Sequence, residues 1–264
     1  MPAQNPFTPP TAKASPVKPL PRQPLLSAAP LPPKGFAAAE EKSKNLLPLQ
    51  GVTILAVEDS RFACEVLRLM SMRAGARMRR ATTLKEARAH LRVYRPDVVI
   101  IDLGLPDGRG EALIRDLARS NKRPKVILGT SGSPEGRSTA LEAGADGFLD
   151  KPLESLAAFC QTLRQHMPGL GLSQMVEETF IPDPLALHDD LASAAQWLAT
   201  NPDLADRSYV TAFLQGVAHH ARDTALEQAA GQAASPNADL GDLLRLVAKR
   251  LDAREAGFFS TDGS

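Results

Sequence analysis

Between Val52 and Pro168, short apolar runs alternate with stretches in which apolar residues recur every three or four positions. The runs in "VTILAVED", "PDVVIID" and "KVILGTS" are apolar enough to be strands buried on both faces. "DGFLDKP" holds a shorter last strand, and another short one passes through Met78. Between them "RFACEVLRLMSMRAG", "LKEARAHLRVY", "GEALIRDLARS", "RSTALEAGA" and "LESLAAFCQTLRQH" have the spacing of helices, with Phe62, Val66 and Met70 on one face of the first. Strict alternation of five strands with five helices predicts an α/β domain, doubly wound around a parallel sheet.

On either side of this pattern the chain changes character. Residues 1–50 hold 12 of the 22 prolines, and six Lys or Arg against two Asp or Glu. Such a segment buries too little apolar surface to offset its ordering entropy, so a disordered tail is expected. Residues 169–182, "GLGLSQMVEETFIP", read as a linker. From 183 to about 258 the pattern is helical, broken at Asn201-Pro202 and Ser235-Pro236-Asn237. Leu185, Leu191, Ala195 and Leu198 suggest one stripe, and Val210, Phe213, Leu214 and Val217 another. Two or three such helices make a small bundle that is marginal alone and calls for docking or dimerisation. The expected organisation is therefore a tail (1–50), an α/β domain (51–168), a linker (169–182) and a helical interaction module (183–258).

Composition narrows the function. A net charge of +1 offers no electrostatic case for nucleic acid or an anionic membrane. From residue 180 onward 12 acidic residues face six basic ones, the opposite of a DNA-reading surface. Cys64 and Cys160 lack metal-ligand spacing and read as reduced thiols. No apolar stretch reaches bilayer length and no signal peptide is visible, so a cytoplasmic protein is expected.

Ligands of open parallel sheets bind beyond the carboxyl ends of the strands. Glu58 and Asp59 leave the first strand, Asp102 the third, Thr130 and Ser131 the fourth, and Lys151 the last. In the flavodoxin-like order 2-1-3-4-5 these four strands are neighbours, and the second, at the rim, brings nothing comparable. Three clustered carboxylates repel one another unless a hard cation intervenes. Mg²⁺ suits such a cluster, and a hydroxyl with an ammonium opposite suits a phosphoryl group. Asp102 then reads as a nucleophile that receives phosphate.

"ILAVEDS", "VVIIDLGLPDGRG", "VILGTSG" and "AGADGFLDKP", in that order, resemble the receiver domain of two-component response regulators over residues 51–168. The resemblance implies that Asp102 is the phosphoacceptor. It implies that Glu58, Asp59, Asp102 and the Gly104 carbonyl hold Mg²⁺, and that Lys151 pairs with the phosphoryl group. Thr130 becomes the switch hydroxyl, with Ser131 as the alternative because Gly129 stands where an aliphatic residue is usual. Phe148 takes the place of an aromatic rotamer switch, and a cis Lys151–Pro152 bond is expected. "AHHARDTALEQAAG" weakly resembles the phosphorylated helix of histidine phosphotransfer domains. There His219 would carry phosphate, although Asp223 would crowd it from one helical turn away.

The expected protein is thus a non-enzymatic bacterial response regulator, phosphorylated by a sensor histidine kinase or histidine phosphotransferase. It signals to a downstream protein through its helices, with a homodimer allowed. Two alternatives are a phosphorelay intermediate using His219 and a receiver-like scaffold that works without phosphorylation.

Overall fold

The computed structural model describes residues 47–170, 183–200, 203–235 and 238–259. Most of the expected tail and nearly all of the expected linker lie outside the described residues. The sheet is built from β1 (Thr53–Val57), β2 (Arg77–Ala81), β3 (Val98–Asp102), β6 (Val126–Ser131) and β7 (Gly147–Asp150). A short antiparallel hairpin, β4 (Gly104–Leu105) and β5 (Gly108–Arg109), follows β3. All five sheet strands are parallel in the order β2-β1-β3-β6-β7, which is the expected 2-1-3-4-5 arrangement.

Alternation along each strand sorts the core into two layers. Ile54, Ala56, Val98, Ile100, Val126 and Leu128 pack under α1 (Arg61–Arg73) and α5 (Leu156–His166). Leu55, Val57, Val99, Ile101 and Ile127 pack under α2 (Leu84–Val93), α3 (Gly110–Ala118) and α4 (Gly136–Ala143). Burying β3 on both faces explains its unbroken apolar sequence. The compact region begins before residue 51, because Leu49 is fully buried in the first layer and its N–H donates to the Ala74 carbonyl at 2.8 Å.

Among the described residues the C-terminal region forms four helices, where two or three were expected: α6 (Pro184–Ala199), α7 (Leu204–His220), α8 (Thr224–Ala233) and α9 (Gly241–Phe259). The long helix expected through "AHHARDTALEQAAG" is broken. Arg222 takes the left-handed conformation (φ 56°) and the Asp223 carboxylate caps α8 by accepting from the Leu226 N–H. The α6 stripe is also corrected. Leu187, Leu191, Ala194 and Leu198 are buried, whereas Leu185 is exposed, because helical spacing of three or four runs through 187 and not 185.

These helices dock on the α/β domain. Phe62, expected to share a face with Val66 and Met70, instead joins the apolar cluster of α6–α9. Beside it the buried Asp190 carboxylate accepts from the Ser60 hydroxyl (2.8 Å) and the N–H groups of Arg61 (2.9 Å) and Phe62 (3.0 Å). A side chain of α6 thereby satisfies the amino end of α1, where amides lack helical partners. Asp190→Ala is expected to cost about 2–4 kcal/mol of docking, since hydrogen bonds to a charged group are lost. Hydrogen exchange checks this: Arg61 and Phe62 should lose protection while β3 keeps it.

Candidate functional site

The carboxyl ends of β1, β3 and β7 converge. Asp102 and Thr130 are register partners, as are Thr130 and Leu149, so their side chains share one face of the sheet. Lys151, two residues past Leu149, returns to that face. Its ammonium lies 2.7 Å from Glu58 Oε2 and 2.7 Å from Asp102 Oδ2, with its side chain only 7% exposed. Asp59 completes an acidic cluster with Glu58 and Asp102, whose ligand oxygens all lie within 4.8 Å of one another. Three carboxylates and one ammonium leave a formal charge of −2, which a divalent cation would balance.

Burial, above all, raises the Glu58 carboxyl well above the usual range, with Asp102 and Asp59 adding to it against Lys151. Burial and the Asp102 charge push Asp59 up to about 6. Burial works against the Lys151 charge, but Asp102 and Glu58 outweigh it, so the ammonium keeps its proton.

Local sequence fixes the loop after β3. The Gly104 N–H donates to Asp102 Oδ1 at 3.3 Å. A Cβ on Gly110 would lie 2.0 Å from the Asp102 carbonyl oxygen, so α3 can begin here only at glycine. Asp107 accepts from the Leu84 and Lys85 N–H groups at 2.7 and 2.9 Å, tying the loop to α2.

Thr130 is fully buried and its hydroxyl donates to the Leu149 carbonyl at 2.9 Å. Ser131 turns to the opposite face, near Phe148, and accepts from the Ser133 N–H. Phe148 is buried in the second core layer beneath the Arg137 guanidinium. Gly129 makes room for it: a Cβ there would meet Ala140 at 2.5 Å and the Phe148 ring at 3.1 Å. The Lys151–Pro152 bond is cis, as expected.

Two groups at the site were not anticipated. Arg80, on the supposedly silent second strand, donates from Nε to the Glu58 carbonyl (3.0 Å) and from Nη2 to that of Asp59. Tyr209, from α7, donates its hydroxyl to Asp59 Oδ2. Burial and the Asp59 charge hold the phenol far above its ordinary pKa, so it remains a donor.

His219 and Asp223 do not share a helix, which corrects the crowding argument. Asp223 pairs with Arg250 (2.6 Å), and the carboxylate at His219 is Glu227, 2.8 Å from Nδ1. His220 faces the domain, its ring edge-on to Phe62 with centroids 6.5 Å apart. Its Nδ1 lies 3.2 Å from the Gly216 carbonyl, and its Nε2 is buried without a hydrogen-bond partner among the described residues. Burial, then the charges of Lys151 and His219, hold its pKa down to about 3. A depressed imidazole pKa contributes stability that is complete above the unfolded value of about 6.5 and is lost as pH falls toward 3. Thermal unfolding from pH 7 to 4 should therefore destabilise the wild type more than His220→Gln. Equal losses would place the acid sensitivity elsewhere.

Residues 54–164 match the family model of the response regulator receiver domain. The KDP operon transcriptional regulatory protein KdpE of Escherichia coli K12 is 34% identical over 52% of this chain and 58% of its own length. The virulence transcriptional regulatory protein PhoP of Shigella flexneri is 36% identical over 47% of this chain and 56% of its own. The match thus spans a little over half of these relatives. A putative response regulator from Chloroflexus aurantiacus is a similar solved structure, with 28% identity, a TM-score of 0.41, and coverage of 44% of this chain and 96% of that one. The receiver domain of a histidine kinase from Syntrophus aciditrophicus gives 26%, 0.41, 49% and 100%. No helix among the described residues is long and apolar enough to cross a membrane. Residues 54–164, with their five-stranded sheet and acidic cluster, are a response regulator receiver domain.

Proposed function

We propose that the chain is a cytoplasmic response regulator whose Asp102 accepts a phosphoryl group from a sensor histidine kinase or a histidine phosphotransferase. The observation that carries this reading is the Lys151 ammonium, held 2.7 Å from both Glu58 and Asp102 beside Asp59. Glu58, Asp59, Asp102 and the Gly104 carbonyl would hold Mg²⁺, which supplies charge neutralisation to the entering phosphoryl oxygens. The Asp102 carboxylate attacks phosphorus and the donor's nitrogen or oxygen leaves with the bond electrons. Lys151 keeps its proton and exchanges part of its pairing with Asp102 for a phosphoryl oxygen. The Thr130 hydroxyl gives up the Leu149 carbonyl to do the same, with Phe148 following as the switch.

Residues 183–258 act as a protein-binding module, and 1–50 and 169–182 as tail and linker. The acidic excess beyond residue 180 supports a protein rather than DNA as the target. Incubation with acetyl phosphate and Mg²⁺ tests the reading. One base-labile phosphoryl group should appear, in a peptide containing Asp102. No incorporation with Mg²⁺ would favour the scaffold alternative, and incorporation that does not need Mg²⁺ would overturn the metal assignment.

A further inference from the structure

Helix α7 and the turn that follows it run past the loops that leave β1, β3, β6 and β7. At one end Tyr209 bonds Asp59, after β1. The helix packs on the Gly104–Leu105 strand, after β3. At its other end the His219 ring lies 4.0 Å from where a Cβ on Gly132 would stand, after β6. Just beyond α7, Arg222 pairs with Glu154, after β7, at 2.6 Å. Asp190 and Phe62 hold the same helices from outside the site.

Asp59 is where this helix meets the chemistry. A cation bound by the acidic cluster would draw on the Asp59 carboxylate, whose Oδ2 already accepts from Tyr209, and a protic hydroxyl and a dication compete for that one negative charge. We propose that Tyr209 competes with Mg²⁺ for Asp59, so that metal binding and release of α7 from the receiver are one coupled equilibrium. The proposal rests on reading Glu58, Asp59 and Asp102 as the metal cluster. Coupling is reciprocal: whatever loosens α7 tightens the metal, and the metal loosens α7. It also selects among donors. A donor's phosphorus must come within about 3–3.5 Å of an Asp102 oxygen. A protein donor meets α7 first, whereas a molecule the size of acetyl phosphate needs only a partial opening.

The chain carries its own reporter, because its single tryptophan, Trp197, has its ring 5.0 Å from that of Tyr209. The full-length protein is titrated with Mg²⁺, followed in parallel by Trp197 fluorescence and calorimetry. The emission of the wild type should change along the same isotherm as the heat. Tyr209→Phe should bind Mg²⁺ roughly tenfold more tightly, the scale of one hydrogen bond to a charged group. Asp190→Ala, which leaves every acidic-site residue and Tyr209 in place, should shift affinity in the same direction. Mg²⁺ heat with silent Trp197 emission and equal affinity in all three proteins would overturn the competition. If Asp102 then still takes up phosphate in a Mg²⁺-dependent way, the phosphoacceptor reading survives alone. Failure of all three proteins to bind Mg²⁺ would overturn both.

Discussion

Asp102→Asn is expected to lower phosphoryl uptake from acetyl phosphate below detection, by roughly a thousandfold or more, the scale on which removing a nucleophile acts. The amide keeps the shape of the carboxylate but offers no anionic oxygen to phosphorus. The variant should still fold. Lys151 retains Glu58 at 2.7 Å, a one-to-one pair, and one repulsion in the cluster disappears. Its melting temperature should match or exceed that of the wild type, so lost labelling cannot be attributed to unfolding. Persistent labelling of the folded variant would remove Asp102 from its role.

Lys151→Ala should be the most damaging single change at the site. It strands Glu58, 1% exposed, and Asp102, 8% exposed, without their shared cation. Breaking a buried ion pair from one side costs about 3–5 kcal/mol. The sign of its pH dependence comes from Glu58, whose pKa burial already raises and which climbs further without the ammonium. A carboxyl with a raised folded pKa binds more protons folded than unfolded, so stability falls as pH rises. Urea unfolding should show a larger deficit at pH 8 than at pH 5. Mg²⁺ should restore more stability to this variant than to the wild type, because it replaces the missing positive charge. A deficit independent of pH would mean that Lys151 contributes packing and not charge.

The sheet and most of its site were legible because local composition carries both. Strands buried on two faces are unbroken apolar runs, and a parallel sheet delivers the residues at the end of each run to one edge. Asp102 and Lys151, 49 positions apart, could therefore be placed at one edge of the sheet from the sequence alone. The features that escaped depend on contacts with no local trace. Tyr209 lies 150 positions from Asp59, and Asp190 lies 130 from Ser60. Neither distance leaves a periodicity. Arg80 was hidden because an arginine-rich short strand reads as a solvated rim, while two of its nitrogens face backbone carbonyls. The α7–α8 break lacks glycine or proline. Its available signal was Asp223 before Thr224, an amino-terminal cap that the pull of a histidine motif obscured.

The same arginine-rich strand bears on assembly. β2 ends the described sheet on one side, and it places Arg77, Arg79 and Arg80 within five residues. An unpaired strand invites a neighbouring chain to extend the ladder. Arg80 is turned to the Glu58 and Asp59 carbonyls, but a second copy aligned on β2 would bring the exposed Arg77 and Arg79 of both copies together, and the ladder would be opposed by like charge. If two receivers meet, the continuous-sheet route through β2 is the one this strand works against, which leaves the β7 side or the helical faces to make the contact.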